Sequence, residues 1–164
     1  MNRQSSSIHA AVDAVVRLAR TLERAAAPLS LADFRVLSAL AAGEDRASRL
    51  AERLAVGKPA ISATVDSLVK RGLVTRTRVE GDQRAAALAL TEEGAAQFAA
   101  AQERLGERMR AVASLTSDPG AGIRALGELG EAIESYLASQ RALRAEAMQP
   151  QSQPQPQAHG KAGA

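Results

Sequence analysis

Apolar residues recur at intervals of three and four over most of this chain, but between Leu73 and Leu90 the interval drops to two. Leu73, Thr75, Thr77 and Val79 alternate with Val74, Arg76 and Arg78. A Glu-Gly-Asp-Gln turn follows, and then a run from Arg84 in which Ala86, Leu88 and Leu90 share a face. One segment cannot satisfy both a helical and a strand period. The chain is therefore expected to be mainly α with one small β-hairpin.

The helical stretches carry their own boundaries. Ile8, Val12, Val15, Val16, Ala19 and Leu22 mark a first helix that Pro28 closes. Ser30 fits an N-cap, Asp33 its capping-box partner, and Leu29 with Phe34 a hydrophobic staple; Phe34, Leu37, Leu40 and Ala41 form the expected buried stripe. Gly43 ends this second helix. A short third helix, Arg46 to Leu54, leads through Ala55–Gly57 into a fourth with Pro59 in its first turn and Ile61, Val65, Leu68 and Val69 inward. Gly72 and Leu73 suit a Schellman closure. After the hairpin, Thr91 reads as an N-cap for a helix burying Phe98, Leu105, Met109 and Val112. The Ser117–Gly122 break precedes a last helix with Ile123, Leu126, Leu129, Ile133, Tyr136 and Leu137 on its apolar side, Tyr136 being assigned to core or dimer packing.

Composition narrows the chemistry. The chain has 164 residues, no cysteine and two histidines near opposite ends, so thiolate chemistry, disulfides and cysteine-ligated zinc are excluded. No nucleophile–base pair, phosphate loop or metal cluster is visible; the chain is read as a non-enzyme without cofactor or metal. His9 and Asp13, four residues apart, are read as a surface pair. Apolar runs broken by charge predict no membrane span and no signal peptide, hence a cytoplasmic protein. Residues 149–164, rich in Pro and Gln, are expected to form a solvated tail.

A short helix, a tight turn and a second helix form a helix-turn-helix, and the hairpin behind it a wing. Such a second helix enters a major groove of DNA while the hairpin tip reaches a minor groove. Residues 58–84 hold six cations against three anions, the same net +3 as the whole chain.

The blocks "LSLADFRVLSAL", "SRLAERLAVGKPAISATVDSLVKRGLVTR" and "VEGDQRAAALALTEEG" resemble, in order and spacing, those of the MarR (multiple antibiotic resistance regulator) family from about Leu29 to Phe98. Asp82 and Arg84 match its Asp-x-Arg wing, and Leu90, Thr91 and Gly94 its Leu-Thr-x-x-Gly helix start. The resemblance implies a winged helix-turn-helix with N- and C-terminal dimerisation helices, working as a homodimeric transcriptional regulator, a repressor by preference. It implies that recognition helix 58–71 and wing 76–86 bind half of a pseudo-palindromic operator, that Asp82 orients Arg84 into a minor groove, and that a small anionic or phenolic ligand acts in a crevice beside the dimerisation helices. The division is then 1–28 for the first dimerisation helix, 29–91 for the DNA-binding lobe, 92–148 for the long C-terminal helices and 149–164 for the tail.

The chain departs from the family at Gly57 and Pro59, where serines are usual, and at Ala63 and Ser67, where arginines are frequent. Lys58, Ser62 and Thr64 remain as contacts on the recognition helix, with Pro59 offering an apolar one; Arg76, Arg78 and Arg84 are the expected wing contacts. Ser62 has an alternative role, bonding a backbone carbonyl one turn back. Specificity is expected to lean on the wing and on DNA shape. Two alternatives stay open: a winged helix used for protein–protein contact, and a DNA binder without ligand control.

Overall fold

The computed structural model describes residues 3–78 and 86–147. Asp82, Arg84 and the 149–164 tail lie outside the described residues. Six helices and one hairpin follow in the order α1 (Arg3–Ala26), α2 (Leu31–Ala41), α3 (Ala47–Arg53), α4 (Lys58–Lys70), β1 (Val74–Arg78), β2 (Ala86–Leu90), α5 (Glu92–Ala113) and α6 (Pro119–Ala147). The described residues form two compact units divided at Ile123–Arg124.

In the first unit, α2, α3, α4 and the hairpin enclose an aliphatic core. Leu37, Leu50, Leu68, Leu73, Val36, Val65 and Val74 are its fully buried side chains, each worth roughly 1.5–3 kcal/mol on burial. Phe34 and Phe98, the only phenylalanines, meet at 5.1 Å between ring centroids and join α2 to α5. The expected capping box is present, with Ser30 Oγ accepting from Asp33 N and Asp33 Oδ2 from Ser30 N, both at 3.0 Å.

All three lobe helices close in the same way. The N–H groups of Glu44, Val56 and Leu73 each reach back to the carbonyl five residues earlier, at Ala39, Ala51 and Leu68. This is the Schellman pairing, and it needs a left-handed residue just past the C-cap. Gly43 and Gly72 supply it at φ +95° and +72°. In the turn between α3 and α4 that role falls on Ala55, at φ 51°, and not on Gly57. A Cβ makes that conformation costly by about 1 kcal/mol.

The strands pair antiparallel with Val74 opposite Leu90, Arg76 opposite Leu88 and Arg78 opposite Ala86. Leu88 N also donates to Asp45 O at 2.8 Å, tying the hairpin to the α2–α3 loop. Thr91 then locks hairpin to helix. Its hydroxyl donates to Gly72 O at 2.8 Å and accepts from Gly94 N at 2.9 Å, while its own N–H donates to Leu73 O at 3.1 Å.

Some expected burials differ. Ala41 is exposed, and Val36 and Ala39 are buried in its place, because α2 is enclosed on a wider arc than a single stripe. Val112 is 39% exposed, with the small Ala101 and Ala113 making the close contacts of α5. α6 begins inside the expected break, at Pro119, where Asp118 Oδ1 accepts from Ala121 N at 2.9 Å. Within its own unit Tyr136 is 63% exposed, so it is no core residue of the single chain. Leu126, Leu129, Ile133 and Leu143 are exposed beside it, as are Ile8, Val12, Val15 and Val16 on α1.

Candidate nucleic-acid interface

The α4 helix turns Ile61, Val65 and Leu68 into the core, and this fixes what its other side presents. Lys58, Pro59, Ala60, Ser62 and Ala63 are all exposed along its first two turns. Lys58 makes no ion pair among the described residues, so its charge is free for a phosphate. Thr64 is half-buried, and its hydroxyl donates to Ala60 O at 3.0 Å. The back-bond open to Ser62 is thus made by Thr64, and Ser62 keeps its hydroxyl without a hydrogen bond among the described residues.

Residues directly opposite on paired strands project to the same side. Arg76 therefore leaves β1 on the side of the buried Leu88, and its stem carries the guanidinium back to α4. There Nη2 donates to Asp66 Oδ1 at 2.9 Å. The pair joins the wing's first strand to the recognition helix and cancels a carboxylate on that helix. Its remaining donors leave room for the expected phosphate contact. Arg78 ends β1 opposite Ala86, while Arg84 and its partner Asp82 lie outside the described residues.

A double-mutant cycle separates the two roles of Arg76. If neutralising Asp66 dominates, Arg76→Ala weakens DNA binding a few-fold and Asp66→Ala in the same chain restores it; an exposed pair of this kind is worth about 0.2–1 kcal/mol. If phosphate contact dominates, Asp66→Ala alone strengthens binding and restores nothing in the double variant.

One functional pairing escaped the sequence. Arg71, at the C-cap of α4, donates through Nη1 to Asp33 Oδ2 at 2.9 Å and through Nη2 to Pro28 O at 3.3 Å. The recognition helix is thereby fastened to the start of α2. The net +3 of residues 58–84 shrinks accordingly, because Arg71 and Arg76 are both paired. Lys58 and Lys70 are the described cations of that segment whose side chains are placed and carry no ion pair. Among the described residues no group of three or more metal-ligating side chains assembles, and no helix is long and apolar enough to cross a membrane.

A family model described as MarR family matches residues 27–85. No curated protein matches the sequence. Solved structures similar to it include AbsC, a MarR family transcriptional regulator from Streptomyces coelicolor, at 21% identity, 87% of this chain, 97% of that one and TM-score 0.68. BldR, a transcriptional regulator from Sulfolobus solfataricus, shares 23% identity over 80% of this chain and 99% of its own, at TM-score 0.63. The transcriptional repressor CouR, bound to a 23-mer DNA duplex, shares 29% identity over 83% of this chain and 89% of its own, at TM-score 0.57.

Proposed function

The chain belongs to the MarR family through its residues 27–85, and from that premise we propose that it is a homodimeric DNA-binding transcriptional regulator, a repressor by preference, released from DNA by a small ligand. The observation that carries the proposal is the solvent face of α4. Lys58, Pro59, Ser62 and the edge residue Thr64 stand on a helix whose opposite side is fixed in the core, and a hairpin follows two residues after its C-cap. A helix held this way enters a major groove, with the wing beside it. The 29% identical CouR carries its DNA duplex on the same fold, which supports the reading.

Dimerisation is supported by two apolar faces open to solvent. Ile8, Val12, Val15 and Val16 form one on α1, and Leu126, Leu129, Ile133 and Tyr136 another on α6. Contiguous exposed faces of this kind mark interaction surfaces in soluble chains. A dimer places two wings and two recognition helices on two half-sites, so the operator is pseudo-palindromic.

The reading is tested by fluorescence anisotropy with DNA from the protein's own upstream region against a shuffled duplex, across a salt series. Tight selective binding with a steep salt slope is expected. Equal weak binding to both, and to DNA selected from random pools, would leave a protein-binding winged helix instead. Within the same assay Arg84→Ala is expected to weaken binding by about tenfold while the dimer persists in gel filtration. Unchanged binding would remove Arg84 from the interface.

A further inference from the structure

A cleft of about 470 Å³ opens between the end of α1 and the middle of α5, lined by Arg24, Ala27, Arg104, Glu107, Arg108 and Ala111. Three guanidinium groups and one carboxylate surround a floor of alanine methyls. Arg24 and Arg108 are exposed and make no ion pair among the described residues. Arg104 is half-buried and already engaged. Its Nε donates to Ala25 O at 3.2 Å and its Nη2 to Ala26 O at 3.3 Å. These are carbonyls of the last turn of α1, which no intrahelical N–H can satisfy. An arginine of α5 thus caps α1, through two bonds at the long end of the normal range.

The same junction is gripped a second time. Three residues past Ala25, Pro28 O accepts from Arg71, and Asp33 completes that clamp. Residues 25–33 are therefore held by one arginine from α5 and by another from the end of the recognition helix.

From this arrangement we propose that the cleft binds a small organic carboxylate, and that occupancy draws Arg104 off the α1 carbonyls. A carboxylate offers a guanidinium charge-assisted, bidentate bonds about twice as strong as those to neutral carbonyls. The alanines accept the ligand's carbon body, and the volume is that of small-molecule sites. Glu107 discriminates against ions carrying more than one negative charge. Releasing Arg104 loosens the junction to which Arg71 fastens α4. This consequence rests on the regulator reading and makes the carboxylate a weakening effector of DNA binding, through differential affinity for two arrangements of the junction.

The test uses the full chain and benzoate, with inorganic phosphate as comparator. Calorimetry without DNA is expected to give saturable benzoate binding, weakened about tenfold in Arg24→Gln and again in Arg108→Gln, two residues with no ion pair to lose. Equal binding in the double variant, no saturable binding by the natural chain, or phosphate binding as well as benzoate would each overturn the site. In the anisotropy assay, saturating benzoate is expected to weaken DNA binding several-fold, and Arg104→Gln to weaken it without benzoate. Unchanged DNA affinity in the presence of bound benzoate would overturn the coupling through Arg104. A chain that never selects DNA would sink the regulator reading, while benzoate binding measured by calorimetry would still decide the cleft.

Discussion

Gly94→Ala is expected to destabilise the fold by about 3 kcal/mol or more, the upper end for forcing an atom into a packed core. Gly94 is buried in the first turn of α5, and a Cβ there would overlap the carbonyl oxygen of Leu73 and lie 2.8 Å from its carbon. The obstacle is backbone, so no rotamer change relieves it. Nor can Leu73 retreat. Its side chain is buried, its N–H donates to Leu68 O at 2.9 Å, and its carbonyl accepts from Thr91 N at 3.1 Å. The sign makes the test sharp, because glycine to alanine inside a helix ordinarily stabilises by about 1 kcal/mol. Gly127→Ala in α6, where a Cβ meets nothing within 4 Å, provides that ordinary case. Urea denaturation followed by circular dichroism should move the two midpoints in opposite directions. A stabilised Gly94→Ala variant would mean that α5 does not start against Leu73.

This contact also explains the Leu-Thr-x-x-Gly sequence physically. Thr91 bonds Gly72, Leu73 and Gly94 at once, and the missing side chain at Gly94 lets the helix start come that close. Thr91 is legible as a cap because capping is local, a hydroxyl meeting an N–H three residues on. So are Ser30 with Asp33, and Gly72 with Leu73. The approach of Leu73 to Gly94 is not, since it joins two elements across the hairpin.

The same division runs through the candidate interface. Periodicity alone puts Ile61, Val65 and Leu68 inside, and so puts Lys58 and Ser62 outside. It defines a stripe but not its edges, which is why Ala41 and Val112 fall on an expected buried face and yet stand in solvent. Ion pairs are the least legible. Arg71 finds Asp33 from 38 residues away and Arg76 finds Asp66 across the helix–strand corner, so counting charges along the chain overstates the free positive charge of the lobe.

Asp33 shows how much one such long-range pairing changes. Locally it is a capping-box carboxylate, a role worth about 1 kcal/mol. The fold adds Arg71, whose guanidinium is two-thirds covered while the Asp33 side chain is 11% exposed. Screening by water is weaker here than at the open surface, and a charged hydrogen bond lost from such a site costs roughly 1.5–3 kcal/mol. Asp33→Ala removes both roles and is expected to cost about 3 kcal/mol. Asp33→Asn keeps an oxygen for Ser30 N and loses the charge, and is expected to cost about 1–2 kcal/mol. Arg71→Ala should resemble the second more than the first, and combined with Asp33→Ala should add little, because the pair is already broken. Both Asp33 variants release the C-terminal end of α4 from the start of α2. Each should therefore also weaken DNA binding at temperatures where the chain remains folded, with the salt slope unchanged, since neither variant removes a cation that meets phosphate. Equal destabilisation by Ala and Asn would assign the whole effect to the ion pair and none to the cap. A full loss of stability without any change in DNA affinity would show that the recognition helix keeps its attitude without Arg71.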